Sequence, residues 1–486
     1  MTTRQRSHPP LRVAVVGAGP NGLVAAAVLG RAGCQVTVLE AAARLGGAAR
    51  SSTEPLGGQA VVDLGAAGHP FGVMSPAFRD LDLTAHGLQW AHATYPLAHP
   101  LEDQPAALLR PGLAATAQGL GIDAQSWRQL HGPVVRDIDK HIDNLLAPPL
   151  RVPPHPLSMA RFGVRAPLPA HTLAHTIFRQ EAARALLVGS AVHSISSPRR
   201  PLTSAFGVLF GAMGMAAGWP VARGGTQAVV DSLVSVTESF GVELHTNNLV
   251  EDARQLRDFD AVILNLTPRQ VMDIRGLDLP ASTRRRLGKW RYGPGVFKVD
   301  YLLEGPVPWE DPAVGRAGTV HVCGSANDIA SAEAQVEAGV LPTRPFVMVC
   351  QQQLADPTRA RSGHVIWAYA HVPHGYREKY PGEVGALIDA QLERFAPGFR
   401  GSIIRRSETS PQGLAEWNPN IVGGDIAGGA MTGSQMLLRP GLSRRPHRIA
   451  PNVYLASGAT PPGAGVHGMA GWHAAHNLLH EHGFSQ

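Results

Sequence analysis

Apolar runs separated by small-residue and polar stretches characterise the first fifty positions of the chain. Leu11–Val16 is an apolar run that predicts a buried parallel strand. Residues 21–31, rich in small residues, predict a helix, and a second apolar strand over 36–39 ends on Glu40. A strand, a helix and a strand in this order predict a βαβ unit, which begins an α/β domain built on a parallel sheet.

Later segments repeat this mixture of helices and short buried strands. The pattern predicts helices over 227–240 and 468–480, and strands over 242–244, 260–266 and 453–456. Thr267-Pro268 ends the strand over 260–266, and a turn rich in glycine and proline precedes the last helix.

The middle of the chain shows two other patterns. Residues 75–219 are rich in Leu, Ala, His and Pro, with apolar positions at helical spacing, and predict a mainly helical cap. Between 292 and 406, candidate strands alternate with one helix and predict an antiparallel substrate-binding sheet. These strands are 296–303, 345–351, 364–370 and 402–406, and the helix is 383–394.

One stretch of the cap is long and uncharged. Residues 202–219 hold 18 residues without a charge, which is the lower edge of the length that spans a bilayer. Its four glycines and other small residues, with prolines and arginines on either side, favour a buried helix or the wall of a substrate pocket.

Composition excludes several classes of protein. A chain of 486 residues, 44% hydrophobic and 16% charged, is long and apolar enough for two folded domains. The net charge of +6 is scattered, and the clusters Arg284–Arg286 and Arg444–Arg445 are too short to indicate nucleic acid as a partner.

The cysteines and the N-terminus bear on location and metal binding. The three cysteines are widely spaced, which excludes a C-x-x-C redox pair and a cysteine zinc site, and no metal is expected. The odd cysteine count and the polar start of the chain, without the apolar core of a signal peptide, predict a cytoplasmic protein. Peripheral contact with a membrane stays open.

The first βαβ unit carries a glycine motif. Gly17, Gly19 and Gly22 follow the first strand in G-x-G-x-x-G spacing. The first glycine allows the tight turn, the second lets the backbone approach a pyrophosphate, and the third lets helix and strand pack closely. Glu40, which lies 23 residues after Gly17, is placed to accept hydrogen bonds from a ribose. The motif therefore predicts a dinucleotide cofactor.

The residues after Glu40 extend this motif. Arg44, Gly46, Gly47 and Arg50 complete the pattern E-x-x-x-R-x-G-G-x-x-R. The pattern resembles the extended fingerprint of the FAD-dependent amine oxidase and phytoene desaturase superfamily. The resemblance implies that the second glycine pair lies against the pyrophosphate of FAD and that an arginine contacts a phosphate or the flavin region.

Four separated blocks together resemble the phytoene dehydrogenase-like flavoproteins, in the branch of the pyridine nucleotide-disulfide oxidoreductase domain 2 proteins. The blocks are GAGPNG with its downstream glycine pair, GG followed by DAVILNL, YGPGVFKVDY at 292–301, and SGATPPGAGVHGMAGWHAA at 457–475.

The resemblance implies an α/β fold with two domains. A discontinuous Rossmann-type FAD-binding domain would comprise 1–74, 220–270 and 440–486. An α+β substrate-binding domain with a mainly helical cap would comprise 75–219 and 271–439. Within the first domain, Val250 would offer its backbone to the adenine.

Two differences from related flavoproteins narrow the range of possible substrates. Many of them carry Gly-Asp after the last strand, whereas this chain has Ser457-Gly458, which suits the desaturases better than the aromatic hydroxylases. Carotenoid desaturases usually have a proline where this chain has His467, and this difference argues against carotenoid substrates.

Candidate chemistry centres on two histidines and one helix N-terminus. Backbone amides from Val466 to Met469 would stabilise negative charge that develops near N1 of a reduced flavin. His467 is the first candidate for proton transfer and His69, in the loop GAAGHPFG, is the second. The alternative for His467 is that it packs or hydrogen-bonds beneath the flavin without titrating, and the alternative for His69 is that it stabilises its turn.

These features predict an FAD-dependent oxidoreductase that desaturates an apolar or amphipathic small molecule by hydride transfer to flavin N5. No second G-x-G-x-x-G follows a strand, so electrons would leave to O₂, a quinone or another small acceptor. One alternative is a flavin amine oxidase, for which Lys298 is the one lysine in a suitable place, although the 6% aromatic content argues against an aromatic cage. A redox-neutral flavin-dependent isomerase or an interaction module is the other alternative.

Overall fold

The computed structural model describes residues 10–484, so the N-terminal segment used above to argue against a signal peptide lies largely outside the described residues. The strands in chain order are β1 (Arg12–Val16), β2 (Gln35–Leu39), β3 (Ser51–Ser52), β4 (Val62–Asp63), β5 (Trp90–Ala91), β6 (Tyr95–Leu101), β7 (Gln104–Leu109), β8 (Val221–Ala222), β9 (Glu243–His245), β10 (Ala261–Leu264), β11 (Gly295–Leu303), β12 (Ala317–Val322), β13 (Val347–Cys350), β14 (His364–Val372), β15 (Ile403–Thr409), β16 (Arg448–Ala450) and β17 (Val453–Leu455).

The α-helices in chain order are α1 (Pro20–Arg31), α2 (Pro70–Val73), α3 (Pro76–Asp80), α4 (Leu113–Gln118), α5 (Ala124–Arg136), α6 (Ile138–Leu145), α7 (Pro156–Gly163), α8 (Ala170–Ile177), α9 (Glu181–Ala191), α10 (Thr203–Ala216), α11 (Gln227–Ser239), α12 (Pro268–Asp273), α13 (Ala281–Gly288), α14 (Ala326–Glu337), α15 (Gln352–Ala355), α16 (Glu383–Phe395), α17 (Pro411–Trp417), α18 (Gly433–Leu437) and α19 (Met469–Glu481).

The first sheet has the strand order β16-β17-β10-β1-β2-β9 and is parallel apart from the edge pair β16 and β17. The predicted strands and helices of this sheet are confirmed to within two residues at each end. Its strands come from three separated stretches of the chain. β1 pairs with β2 on one side and with β10 on the other, so the connections leave the sheet in opposite directions at this point. Parallel α/β sheets bind ligands outside the carboxyl ends of the strands at such a reversal.

Helix α1 packs closely against the helix α19 from the other end of the chain. A methyl group added at Gly471 would lie 1.8 Å from the carbonyl oxygen of Asn21, so the two helices meet at backbone distance. Leu23 and Leu29 of α1 are fully buried, and burying a leucine side chain contributes about 2–3 kcal/mol. This packing fixes the N-terminus of α1 relative to the end of the chain.

The second sheet has the order β15-β11-β14-β13-β12-β6-β7. The predicted strands within 292–406 are confirmed to within three residues. The expectation of a purely antiparallel sheet is wrong, because β6 joins β12 in parallel, with Leu97 opposite Thr319. Strand β12 was not predicted. Strands β6 and β7 lie inside the segment predicted as mainly helical, and β6 is almost wholly buried, so it lacks the polar alternation that marks a half-exposed strand.

Helices α4 to α10 form the helical cap, in which α9 and α10 pack against β6 and β7 of the second sheet. The uncharged stretch 202–219 contains α10, whose residues Gly207–Met215 are all buried in the protein, as the favoured prediction required. Across residues 10–484, no helix combines the length and the apolar character needed to cross a membrane.

Candidate cofactor and substrate site

A cavity of about 680 Å³ extends from the carboxyl ends of β1 and β2 to the face of the second sheet. Cavities that bind small molecules commonly have volumes of roughly 300–1,000 Å³. Nine predicted site residues line it: Gly17, Gly19, Glu40, Gly47, Arg50, His69, Val250, Gly458 and Val466. Five others lie outside its lining: Gly22, Arg44, Gly46, His467 and Met469.

The first glycine turn is held from both sides. The Gly17 amide donates to the carbonyl of Leu39, at 2.8 Å. Gly22 lies behind the turn, and a methyl group there would lie 2.0 Å from the carbonyl oxygen of Gly17. Only glycine at position 22 therefore lets α1 begin directly on the turn, and the residues at its N-terminus, Gly19 to Asn21, line the cavity.

The side chain of Asn265 is a site residue that the sequence analysis missed. Its Nδ2 donates to the carbonyl oxygen of Gly17, at 3.1 Å. A methyl group at Gly19 would lie 2.9 Å from the same nitrogen, so Gly19 presents bare backbone to the cavity. Asn265 directly follows the buried strand β10, which pairs with β1. A polar residue at that position was the signal that the sequence offered.

Glu40 is fixed at the end of β2. Its Oε2 accepts from the Ala18 amide at 2.7 Å, and its Oε1 accepts from the Ala42 amide at 2.9 Å. Each carboxylate oxygen can accept further hydrogen bonds. Because Glu40 lines the cavity, that remaining capacity is available to a ligand hydroxyl.

The second glycine pair touches the first turn. A methyl group at Gly47 would lie 3.1 Å from Cα of Gly19. Arg50 donates from Nε to the carbonyl of Gly47 at 3.1 Å, and its guanidinium lies 4.9 Å from the ring centre of Trp417. Burial lowers the pKa of Arg50 below its usual value, with Glu40 opposing the shift. Arg44 is exposed on the surface.

This half of the cavity fits the adenosine and pyrophosphate of a dinucleotide. Two glycine turns in contact leave backbone where side chains would fill the space. A fixed carboxylate at Glu40 and the backbone near Val250 form the far end. The continuation of the cavity to the second sheet leaves room for a larger group than a mononucleotide, and FAD is consistent with these residues.

A buried arginine organises the opposite wall. Arg439, only 2% exposed, donates to the carbonyls of Ala427, Gly429 and Gly458. Burial lowers its pKa to about 10. The loop also uses Asp425, whose carboxylate accepts from the Gly293 and Ala427 amides, each at 2.7 Å. Neither side chain was predicted, because their partners come from separate parts of the chain.

His69 lies in the cavity wall with its ring orientation fixed. Its Nε2 lies 2.9 Å from the Thr226 hydroxyl, which itself donates to the carbonyl of Ala66. Nε2 of His69 is therefore the donor, which leaves Nδ1 without a proton and buried. Burial lowers the pKa of His69 to about 4, although Asp63 opposes the shift.

A buried ion network supports this wall. Arg359 contacts the carboxylates of Asp63 and Asp356, each at 3.0 Å. The pKa of Asp63 lies below its usual value because Arg359 and hydrogen bonds from Ser51 and Thr226 outweigh the opposing effect of burial.

His467 caps α19 and does not line the cavity. Its Nδ1 accepts from the Met469 amide at 3.1 Å. It is 1% exposed, and burial lowers its pKa to about 4. The Met469 amide is thereby taken by protein, whereas Val466 reaches the cavity lining. Of the backbone amides from Val466 to Met469 that were predicted to stabilise a reduced flavin, the Met469 amide is therefore not available to the cofactor.

Beyond the glycine turns the cavity widens into an apolar chamber. Its walls include Ile195, Phe206, Phe210, Trp219 and Met431. Among residues 10–484, no group of three His, Cys, Asp or Glu side chains is placed to hold a metal ion.

Lys298 lies on the sheet side of the chamber. It forms a buried ion pair with Asp300, and its Nζ lies 5.9 Å from the ring centre of Trp367. Burial raises the pKa of Asp300, against the opposing effect of Lys298.

Comparison with known proteins agrees with this description. The NAD(P)-binding Rossmann-like domain family matches residues 15–82. Pyridine nucleotide-disulfide oxidoreductase domain-containing protein 2 of Rattus norvegicus is 25% identical, over 97% of this chain and 94% of the rat protein. The chain is similar to this protein over nearly the whole length of both.

Solved structures of the same fold include an oxidoreductase from Methanosarcina mazei and a putrescine oxidase variant redesigned in its cofactor binding. The first has a TM-score of 0.61 at 15% identity, and covers 97% of this chain and 100% of its own. The second has a TM-score of 0.61 at 17% identity, with the same coverage. The chain therefore shares the fold of these two oxidoreductases.

Proposed function

We propose that this protein is an FAD-dependent dehydrogenase that desaturates an apolar or amphipathic small molecule. The observation that carries the proposal is the continuity of one cavity, from two touching glycine turns to an apolar chamber. A cofactor bound on the turns would place its reactive end at the chamber. When bound, FAD would supply the acceptor for a hydride from the substrate.

Different residues of the chain would bind the cofactor and the substrate. The turns at Gly19 and Gly47 would bind the pyrophosphate, and Glu40 would hold the ribose. Phe206, Phe210 and Trp219 would orient an apolar substrate and exclude water from the chamber, where charge stabilisation by fixed dipoles is strongest.

The test uses two probes that share an apolar skeleton, phenylcyclohexanone and phenylcyclohexylamine. Desaturation of the ketone removes one hydride and one acidic hydrogen next to the carbonyl. We expect the purified protein to hold one non-covalent FAD per chain and the ketone to bleach it under anaerobic conditions. A protein that binds no FAD on reconstitution, or one that neither probe reduces, would overturn the proposal.

Electrons would leave to O₂ or a quinone. Because a second dinucleotide motif after a strand is missing from the sequence, we expect NADH and NADPH to bleach the flavin slowly. Rapid anaerobic bleaching by either nucleotide would instead place the protein among the reductases.

An amine oxidase is the second candidate. Lys298 and the aromatic pair Trp367 and Tyr369, with ring centres 5.2 Å apart, line the sheet side of the chamber. Bleaching by phenylcyclohexylamine alone, with release of ammonia in air, would favour this function over desaturation.

A further inference from the structure

His193 is a titratable side chain of the apolar chamber that the function above does not use. It lies directly after α9 and lines the cavity. Its ring stacks on Phe210, with centres 4.6 Å apart at 12°, and meets the edge of Trp219 at 4.9 Å and 84°. Two aromatic contacts at right angles fix the orientation of the imidazole.

His193 is hydrogen-bonded to a second histidine deeper in the protein. Nε2 of His193 lies 3.0 Å from Nε2 of His321, which is fully buried on β12. One of these nitrogens must carry the proton and the other must accept it. If Nε2 of His193 carries the proton, Nδ1 of the same ring has a lone pair and can act as a base.

A third histidine lies beside His321 and bears on the position of this proton. Nε2 of His99 lies 2.6 Å from the carbonyl oxygen of Gly324, and a carbonyl only accepts, so Nε2 of His99 is protonated. Nδ1 of neutral His99 therefore carries a lone pair. A methyl group at Gly189 would lie 2.8 Å from Nδ1 of His321 and 3.5 Å from Nδ1 of His99, so both nitrogens face the bare Cα of this glycine.

Neither Nδ1 has a hydrogen-bond partner among residues 10–484, so these contacts leave the tautomer of His321 to be measured. A hydrogen on Nδ1 of His321 would keep two lone pairs from sharing one small gap, and it is the tautomer that the proposal below requires. Neutral His321 then accepts at Nε2, and His193 donates from its own Nε2. Nδ1 of His193 is left without a proton.

We propose that His193, held by His321, accepts the proton that the substrate loses during oxidation. One C–H bond breaks as a hydride that reduces the flavin. The neighbouring C–H bond breaks as a proton, which forms an N–H bond at Nδ1 of His193, while its electron pair forms the new C=C bond. O₂ or a quinone reoxidises the flavin, and His193 releases its proton when the product leaves.

The surroundings of the pair keep it neutral before the reaction. Facing groups are His99 on β6 and His371 on β14, the latter paired with Glu333 on α14 at 2.8 Å. The charge of Asp328 acts on His99 and opposes the lowering of its pKa by burial. Burial lowers the pKa of His193 to about 3, and His371 adds to the shift, so the imidazole is neutral at pH 7 and one of its two nitrogens has no hydrogen.

His69 has a similar tautomer but a different exposure. Its unprotonated Nδ1 is buried against the protein. Nδ1 of His193, in contrast, is absent from the buried nitrogens without partners in residues 10–484, and its residue lines the chamber. His193 is therefore the better placed of the two.

This inference rests on the proposed function, and the first measurement is chosen to stand apart from turnover. Imidazole nitrogen NMR on isotope-labelled FAD-loaded protein, assigned with His193→Gln and His321→Gln, reports each tautomer. We expect a proton on Nε2 of His193 and on Nδ1 of His321. The reverse arrangement would overturn the proposal, because Nδ1 of His193 would already be protonated.

The second measurement is stopped-flow reduction of the loaded protein by phenylcyclohexanone. We expect His193→Gln to keep FAD and the half-saturating concentration of the ketone while reduction slows by roughly 10²–10⁴-fold, the usual effect of a positioned base. His131→Gln is the control, since His131 is a fully buried histidine whose ring centre lies 4.0 Å from that of Trp127, outside the cavity lining. Equal rates for both variants would overturn the proposal.

His321 is a positioning residue in this scheme, and two variants test that role. His321→Gln keeps an oxygen that can accept from Nε2 of His193, whereas His321→Leu does not. We expect the glutamine variant to retain more of the reduction rate than the leucine variant at equal FAD content. If wild-type protein fails to react with the ketone, the proposed function fails, while the tautomers still test the histidine pair separately.

Discussion

At the scale of single residues, the cofactor half of the cavity depends on glycines that lack a side chain as much as on the polar side chains present. Gly19 and Gly47 expose backbone at a point where any side chain would fill the cavity. Glu40 supplies the one carboxylate fixed by two backbone amides at this end. Substitutions at these positions therefore act on cofactor binding more than on folding.

Gly19→Val should abolish FAD binding, because its side chain would meet Nδ2 of Asn265 and occupy the pyrophosphate space. Flavin content after reconstitution measures the loss. Gly288→Ala is the matched control, since a methyl group there has no neighbour within 4 Å. Full flavin content in the valine variant would show that the turn serves only the fold.

Glu40→Ala should weaken FAD binding by about 1–3 kcal/mol, which is the effect of losing a hydrogen bond to a charged group. The dissociation constant from flavin fluorescence titration measures it. Glu40→Gln keeps one acceptor oxygen but turns an amide donor toward a backbone N–H, so an intermediate affinity is expected. Unchanged affinity in the alanine variant would exclude a contact with the ribose.

At the scale of secondary structure, the N-terminus of α19 is stabilised by a hydrogen bond to a side chain. Nδ1 of His467 accepts from the Met469 amide, one of the four amides that a helix leaves without an internal partner. Ser75, the N-cap of α3, donates to the carbonyl of His467 at 2.6 Å and holds this turn against α3.

His467→Ala should lower the free energy of unfolding by about 0.5–2 kcal/mol, the usual cost of removing a helix cap. The reduction rate of the FAD-loaded fraction should change little, because His467 lies outside the cavity lining. Urea unfolding and stopped-flow reduction measure the two quantities. His467→Asn keeps a cap acceptor and should recover stability, whereas a rate loss of roughly 10²-fold or more in loaded protein would restore the catalytic role.

At the scale of the whole molecule, buried histidines make folding sensitive to acid. Burial lowers the pKa of seven of them from 6.5 to about 3–4: His69, His99, His131, His193, His447, His467 and His473. The unfolded chain binds protons on these rings below about pH 6.5, whereas the folded chain does not until about pH 4.

Stability should therefore be full above about pH 6.5 and fall steeply as the pH drops toward 4, by up to about 1.4 kcal/mol per pH unit for each histidine. Urea midpoints measured between about pH 5 and 8 test this, and they should be constant only from about pH 7 to 8. A midpoint that does not change down to pH 5 would contradict the depressed pKa values.

The sequence by itself determined the local part of this protein. The strand, turn and helix around Gly17 depend on neighbouring residues, since glycine spacing and apolar runs act within one turn or strand. It also determined which separated stretches carry the cofactor motif, and it favoured for 202–219 a buried helix or a pocket wall, where the structure has the buried helix α10.

Only the tertiary structure decided what distant segments do together. Asn265 supports a turn 248 positions earlier, and His193 meets His321 across 128 positions. Strand β6 lies within the segment that was predicted as a helical cap, but it pairs with β12 of the second sheet. Such contacts depend on packing in three dimensions, and side chains that are wholly buried carry no local pattern, so no periodicity in the chain could reveal them.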